Sequence, residues 1–205
     1  MTDARRNSTS EIDTPNAAQV FTAWLAEFAS ALEKGSEVEL GASLHPDATW
    51  RDFMAFPWDF HHAVGGAQTA GRLIELAKEW SASGFAVSAE QEPFVSGDDI
   101  MGFFDFTTND RIDRGFARLV RDGSRFVAFT LQTQVEGLEA FPEGTRHRRP
   151  EGKVYGVVPG RTRWADDRRN ETSFEDRDPT VLVLGAGHNG LALAARLGAS
   201  TSTRS

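Results

Sequence analysis

Phe85-Ala-Val-Ser-Ala, Ile100-Met-Gly-Phe-Phe-Asp-Phe, Arg114-Gly-Phe-Ala-Arg-Leu-Val and Phe126-Val-Ala-Phe-Thr-Leu-Gln-Thr-Gln-Val fill the span between Gly84 and Gly137. Each run alternates with a period of two and is rich in aromatic and branched residues, the pattern of a half-buried strand. Ser96-Gly-Asp-Asp and Arg121-Asp-Gly-Ser sit between runs and supply the compact turns that join antiparallel neighbours. Spacing this close leaves no room for crossover helices, so the reading is a meander and not a series of βαβ units.

Upstream the period changes. Val20, Phe21, Trp24, Leu25, Phe28 and Leu32 recur at three- and four-residue steps and predict an amphipathic helix ending near Gly35. Pro15 suits its first turn, where a missing N–H costs nothing. Ala48-Thr-Trp-Arg-Asp-Phe-Met reads as a further strand. Gly65-Gly66 opens a second helix carrying Leu73, Ile74, Leu76, Ala77 and Trp80. Helices first and a curved antiparallel meander after them predict an α+β domain over residues 15–137. Residues 1–14 are polar and read as a disordered lead-in. Residues 138–178, punctuated by proline and glycine and dense in charge, read as a linker or wrapping arm.

Composition bounds the chemistry. The chain has 205 residues, 40% of them hydrophobic, which is enough for one core. It has no cysteine, which excludes disulfides, thiolate zinc, iron–sulfur clusters and a thiol nucleophile. A net charge of −8 argues against nucleic acid or an anionic membrane as partner. With no long apolar run and no apolar signal core, the expected location is the cytoplasm.

Residues 179–205 change pattern again. Thr180-Val-Leu-Val-Leu, then Gly185-Ala-Gly-His-Asn-Gly, then Leu191-Ala-Leu-Ala-Ala-Arg-Leu spell strand, glycine turn, helix. This is the dinucleotide fingerprint in its proper context. Gly185 would allow the tight turn, Gly187 the approach of a pyrophosphate, and Gly190 close helix–strand packing. The Asp or Glu about 20 residues further on, which would bind the ribose, is missing. The motif reads as an incomplete Rossmann βα unit.

Trp164-Ala-Asp-Asp-Arg-Arg, Phe174-Glu-Asp-Arg-Asp-Pro and the glycine run after them resemble the entry to the FAD domain of flavin-containing monooxygenase-type oxidoreductases. More closely, they resemble the subgroup carrying an extra N-terminal domain. Trp50-Arg51-Asp52, Ala55-Phe56-Pro57-Trp58-Asp59 and Gly65 before a helix are similar to that domain, a SnoaL-like (nuclear transport factor two-like) cone of helices on a curved sheet. The resemblance implies that Gly185, Ala186, Gly187, His188, Asn189 and Gly190 face the FAD diphosphate, and that full-length relatives add an NADPH site. It implies a truncated FAD-dependent monooxygenase, unable to hold FAD productively alone, with a separate FAD-domain half as one expected partner. The alternative is a stand-alone SnoaL-like pocket protein, an isomerase, cyclase or binder for a small hydrophobic molecule, with a homodimer as a possible assembly.

For that alternative Asp52 is the foremost catalytic candidate. On its strand it shares a side with Ala48, Trp50 and Met54, so desolvation would raise its pKa and suit acid–base work. The competing reading is that Asp52 pairs with an arginine or caps a helix. Asp105, among Phe103, Phe104 and Phe106, faces the same two readings as a second pocket carboxylate. His61-His62 invites a metal reading, but adjacent histidines point apart on a strand and no third ligand has a diagnostic spacing. No metal is expected; a loop or substrate contact is. His45 before Pro46 reads as a turn residue.

Overall fold

The computed structural model describes residues 16–142, 162–175 and 178–201. The chain divides into two units, one ending at Pro142 and one beginning at Glu143.

In the first unit α1 (Ala17–Lys34) and α2 (Glu37–Ala42) precede β1 (Leu44–Phe53) and β2 (Phe60–Val64). Then come α3 (Gly66–Glu79), β3 (Ser83–Val87), β4 (Phe94–Ser96), β5 (Asp99–Thr108), β6 (Arg111–Asp122) and β7 (Arg125–Leu138). Asn16 caps α1 through its side chain, which accepts from Gln19 N–H, so the first helical residue is Ala17. Pro15 lies outside the described residues. At the other end Gly35 takes the left-handed conformation (φ 64°) that its missing Cβ permits, and its N–H closes the last turn.

The seven strands form one sheet in the order β2-β1-β7-β6-β5-β3, with β4 paired to β5. Neighbouring pairs are antiparallel with one exception. β1 runs parallel to β7, with Asp52 opposite Thr133. The sheet is therefore mixed, which corrects the expectation of a purely antiparallel one. Turn chemistry joins only chain neighbours, and β1 and β7 meet across most of the unit. Register irregularities in β1, β3, β6 and their partners bend the sheet. α1 packs on β3 and β5, and α3 on β1.

The concave face is filled by rings. Phe21, Trp24, Phe28, Trp50, Phe56, Phe104 and Phe106 are all buried there, with Phe85 stacked on Phe106 at 5.0 Å. Helices packed on a curved sheet are thus observed, as the SnoaL-like resemblance implies for this unit. His45 lies within β1, its ring 5.2 Å from Phe129, and is not a turn residue.

In the second unit α4 (Trp164–Ser173) and α5 (His188–Thr201) are helical. α4 falls within the stretch that reads as a linker or wrapping arm. The expected strand is not formed: residues 181–184 belong to no strand, and Leu182 and Leu184 are exposed. A strand needs a neighbour to take its backbone hydrogen bonds, and among the described residues none is offered. The turn is nevertheless built around glycine. Gly185 has φ 109°, and a Cβ at Gly190 would stand 2.1 Å from Gly185 O. Among the described residues no helix is long and apolar enough to cross a membrane.

Candidate active site

Inward-facing positions of β1 are Ala48, Trp50 and Asp52, all buried. Asp52 therefore points into an aromatic core, as its alternation predicts. Thr133, its partner on β7, donates through Oγ1 to Asp52 Oδ1 at 2.6 Å. Trp50 Nε1–H donates in turn to Thr133 Oγ1 at 3.1 Å. The hydroxyl is thus polarised from one side and donates on the other. The second carboxylate oxygen, Oδ2, accepts from Phe56 N–H at 3.4 Å. Burial pushes the Asp52 pKa up, against the lowering effect of the Thr133 bond, the Phe56 and Ala55 backbone bonds and the charge of His61.

A second buried carboxyl group stands nearby. Asp113 on β6 has no exposed surface and faces inward with Gly115, Ala117 and Leu119. Thr108, at the end of β5, lies with Oγ1 2.7 Å from Asp113 Oδ2. Burial raises the Asp113 pKa to about 7, opposed by Thr108 and the charge of Arg111 and reinforced by the charge of Asp52. Asp113 Oδ1 has no hydrogen-bond partner among the described residues.

The loop 54–59 closes over both groups. β1 ends where Met54 turns to φ 63°, and Ala55 and Phe56 are then fully buried. Arg111, at the start of β6, holds this loop. Its Nη1 donates to Met54 O at 2.8 Å and to Phe56 O, and its guanidinium lies between the rings of Trp58 (4.2 Å) and Trp80 (4.6 Å). A buried guanidinium against two indoles is stabilised by their π faces, and it also lies within electrostatic reach of Asp113.

The structure brings Asp52 to Asp113 and not to Asp105. Asp105 lies on the opposite face of β5, with its side chain 41% exposed and its Oδ1 accepting from Arg114 Nε at 2.9 Å. Arg114 also pairs with Glu90 at 2.8 Å, and these two bonds raise its pKa. Asp113 escaped the sequence reading because that strand was begun at Arg114. Carried back along the alternation of Leu119, Ala117 and Gly115, the same strand places Asp113 in the core.

His61 and His62 lie on β2, where His62 is exposed and His61 Nε2 is buried without a partner. Among the described residues no group of three or more His, Asp or Glu is placed to hold a metal ion. A surface depression of about 380 Å³, lined by Glu37, Val38, Leu44, Pro46 and Gly66 among others, lies at α2 and α3, away from the carboxyl pair. Of the glycine-run residues, Gly185, Ala186, Gly187, His188 and Asn189 are exposed. The turn they form, with Gly185 at φ 109° and α5 starting at His188, stands outside any sheet among the described residues.

No family model and no curated protein matches the chain. Among solved structures, a ketosteroid isomerase-like protein from Erwinia carotovora atroseptica SCRI1043 is similar with TM-score 0.47 and 12% identity, covering 60% of this chain and 98% of that one. A DUF4783 family protein from Bacteroides uniformis ATCC 8492 gives TM-score 0.44 and 12% identity, over 55% of this chain and 96% of that one. A protein of unknown function with a cystatin-like fold from Nostoc punctiforme PCC 73102 gives 0.45 and 12%, over 58% and 90%. None of these is described as a flavoprotein or an oxidoreductase. With residues 181–184 outside any sheet and no flavoprotein among these neighbours, the expectation of a flavin- and NADP-dependent monooxygenase with a Rossmann unit is corrected.

Proposed function

We propose that the first unit binds a small hydrophobic molecule carrying a carbonyl group and moves a proton within it, the chemistry of an isomerase or a lyase. One observation carries this reading: two carboxyl groups, Asp52 and Asp113, buried together under one loop in an aromatic core. Two such groups cannot both ionise cheaply, because desolvation and mutual repulsion hold a proton on one of them. Asp52 receives two donated hydrogen bonds and is the better carboxylate. Asp113 has a single hydroxyl neighbour and is the better acid. Groups whose environments separate their proton affinities divide naturally into base and acid.

In this reading Asp52 removes a proton from the carbon next to the carbonyl, and Asp113 donates a hydrogen bond to the oxygen as negative charge develops there. Returning the proton to a different carbon completes an isomerisation with no external reactant. Trp58, exposed on the loop itself, gives an apolar edge beside the site.

Solvent deuterium uptake at the α-carbon of a panel of small cyclic ketones and enones tests this. The expected result is uptake above the buffer rate for at least one member. Asp52→Asn should reduce it roughly 100-fold or more, the usual scale of a general base. No binding and no uptake across the panel would overturn the reading.

A further inference from the structure

One proton decides how the 54–59 loop is tied down. Thr108 Oγ1 lies 2.8 Å from Ala55 O and 2.7 Å from Asp113 Oδ2. A hydroxyl has a single proton, and both neighbours are acceptors when Asp113 is ionised. Both contacts are satisfied only when Asp113 supplies the second proton. Asp113 O–H then donates to Thr108, and Thr108 donates to the Ala55 carbonyl. An ionised Asp113 takes the hydroxyl proton for itself, because a hydrogen bond to a charged acceptor is the stronger one. Ala55 O is then left buried against a lone pair.

Arg111 is drawn into the same competition. It stands two residues before Asp113 on the same face of β6, and its Nη1 donates to Met54 O and Phe56 O. Among the described residues its Nε is buried without a partner, as is Asp113 Oδ1. A negative charge at Asp113 attracts the guanidinium and pulls it off the loop carbonyls and from beneath Trp58. Thus the ties from β5 and β6 to the loop that the hydrogen bonds reveal are those an ionised Asp113 competes for. The other groups facing Asp113 are Asp52 on β1, whose charge opposes ionisation, and the uncharged Phe106 on β5 and Val135 on β7, its register partners. His61 on β2 acts one step removed, through Asp52.

We infer that loop 54–59 is a proton-controlled lid, closed over Asp52 while Asp113 is protonated and released when Asp113 ionises. The lid rests on these hydrogen bonds and not on the reaction proposed above. If both hold, it sets the pH range over which the site admits its ligand. The raised pKa of Asp113, about 7, places the transition near neutrality.

Amide hydrogen exchange of the loop, followed by NMR from about pH 5 to about pH 9 and corrected for intrinsic base catalysis, reads the lid directly. Above the midpoint the ionised-to-protonated ratio grows tenfold per pH unit, so protection of the Phe56 amide should fall by up to about tenfold per unit. Asp113→Asn does not ionise and keeps a donor for Thr108, so its corrected profile should stay flat. Thr108→Val loses the Ala55 tie and should be less protected than wild type below the midpoint, the two profiles converging above it. A flat wild-type profile, or the same fall in Asp113→Asn, would overturn the lid. If Asp113→Asn fails to fold, the wild-type profile is compared with the carboxyl carbon shift of Asp113. A shared midpoint supports the lid and separate midpoints overturn it. Ketone deuterium uptake is independent, so lid opening without uptake would remove the proposed reaction and leave the lid standing.

Discussion

A carboxyl group with no exposed surface is costly to ionise, and Asp113 has only the hydroxyl and backbone of Thr108 and one partly engaged cation to offset that cost. The consequence for stability has a definite sign. Below pH 3.8 both folded and unfolded chains hold the proton, and Asp113 contributes no pH dependence. Between 3.8 and about 7 the unfolded chain has released it while the folded chain retains it, so stability falls as pH rises. The slope is about 1.4 kcal/mol per pH unit for one proton. Asp113→Asn should therefore be more stable than wild type at about pH 8, with the gain shrinking toward about pH 4. Urea unfolding at both pH values checks this, and a gain that does not depend on pH contradicts it. Thr133→Val removes the donor to Asp52 and leaves the Trp50 indole N–H without its acceptor. It should cost roughly 1–3 kcal/mol at neutral pH and raise the Asp52 pKa further, which a carboxyl titration would show. The burial of Asp52 was legible from the alternation of Ala48 and Trp50. Its partner is not, because the alternating run is recognisable only from Arg114 onward, while Asp105 meets the other of its two readings and pairs with an arginine, Arg114.

At the scale of elements, β5, β6, β7, α1 and α3 were legible because each carries an uninterrupted period and a turn or cap at its end. Gly97 (φ 64°) and Gly123 (φ 59°) close the two hairpins that the turn sequences predict. β2 was not legible: Phe60-His-His-Ala-Val is short, lies at the sheet edge and buries one residue in five. Nor was the parallel β1–β7 pairing, which no local signal reports. Thr180–Leu184 shows the converse failure, an apolar β-branched run that forms no strand for want of a neighbour. Two glycines within strands have a packing reason. A Cβ at Gly115 would stand 2.0 Å from the Phe104 ring, and one at Gly102 would stand 2.7 Å from Phe21. Gly115→Ala should destabilise by about 3 kcal/mol, near the top of the overpacking range, and Gly102→Ala by less. Thermal unfolding of the two variants checks the order. Phe104 is buried among Trp24, Phe28 and Phe85, with few directions in which to yield, and its ring overlaps the added methyl more deeply than that of Phe21 does.

Across the whole molecule, the sheet order brings together residues far apart in the chain. Asp52, Thr108, Asp113 and Thr133 come from β1, β5, β6 and β7, and loop 54–59 joins them from above the end of β1. The polar cluster is assembled by topology, which explains why motif reading pointed elsewhere, to the compact and recognisable glycine run at 185–190. A motif confined to six residues is visible in one dimension, and a site built from four strands is not. The central claim is that two buried carboxyl groups share one environment and one of them keeps its proton near neutrality. Site-resolved carboxyl carbon NMR of wild-type protein, titrated from about pH 3 to about pH 9, measures this directly. The account predicts that Asp113 titrates near pH 7, that Asp52 titrates above 3.8, and that each signal registers the other's transition. Two independent titrations near 3.8 would contradict it.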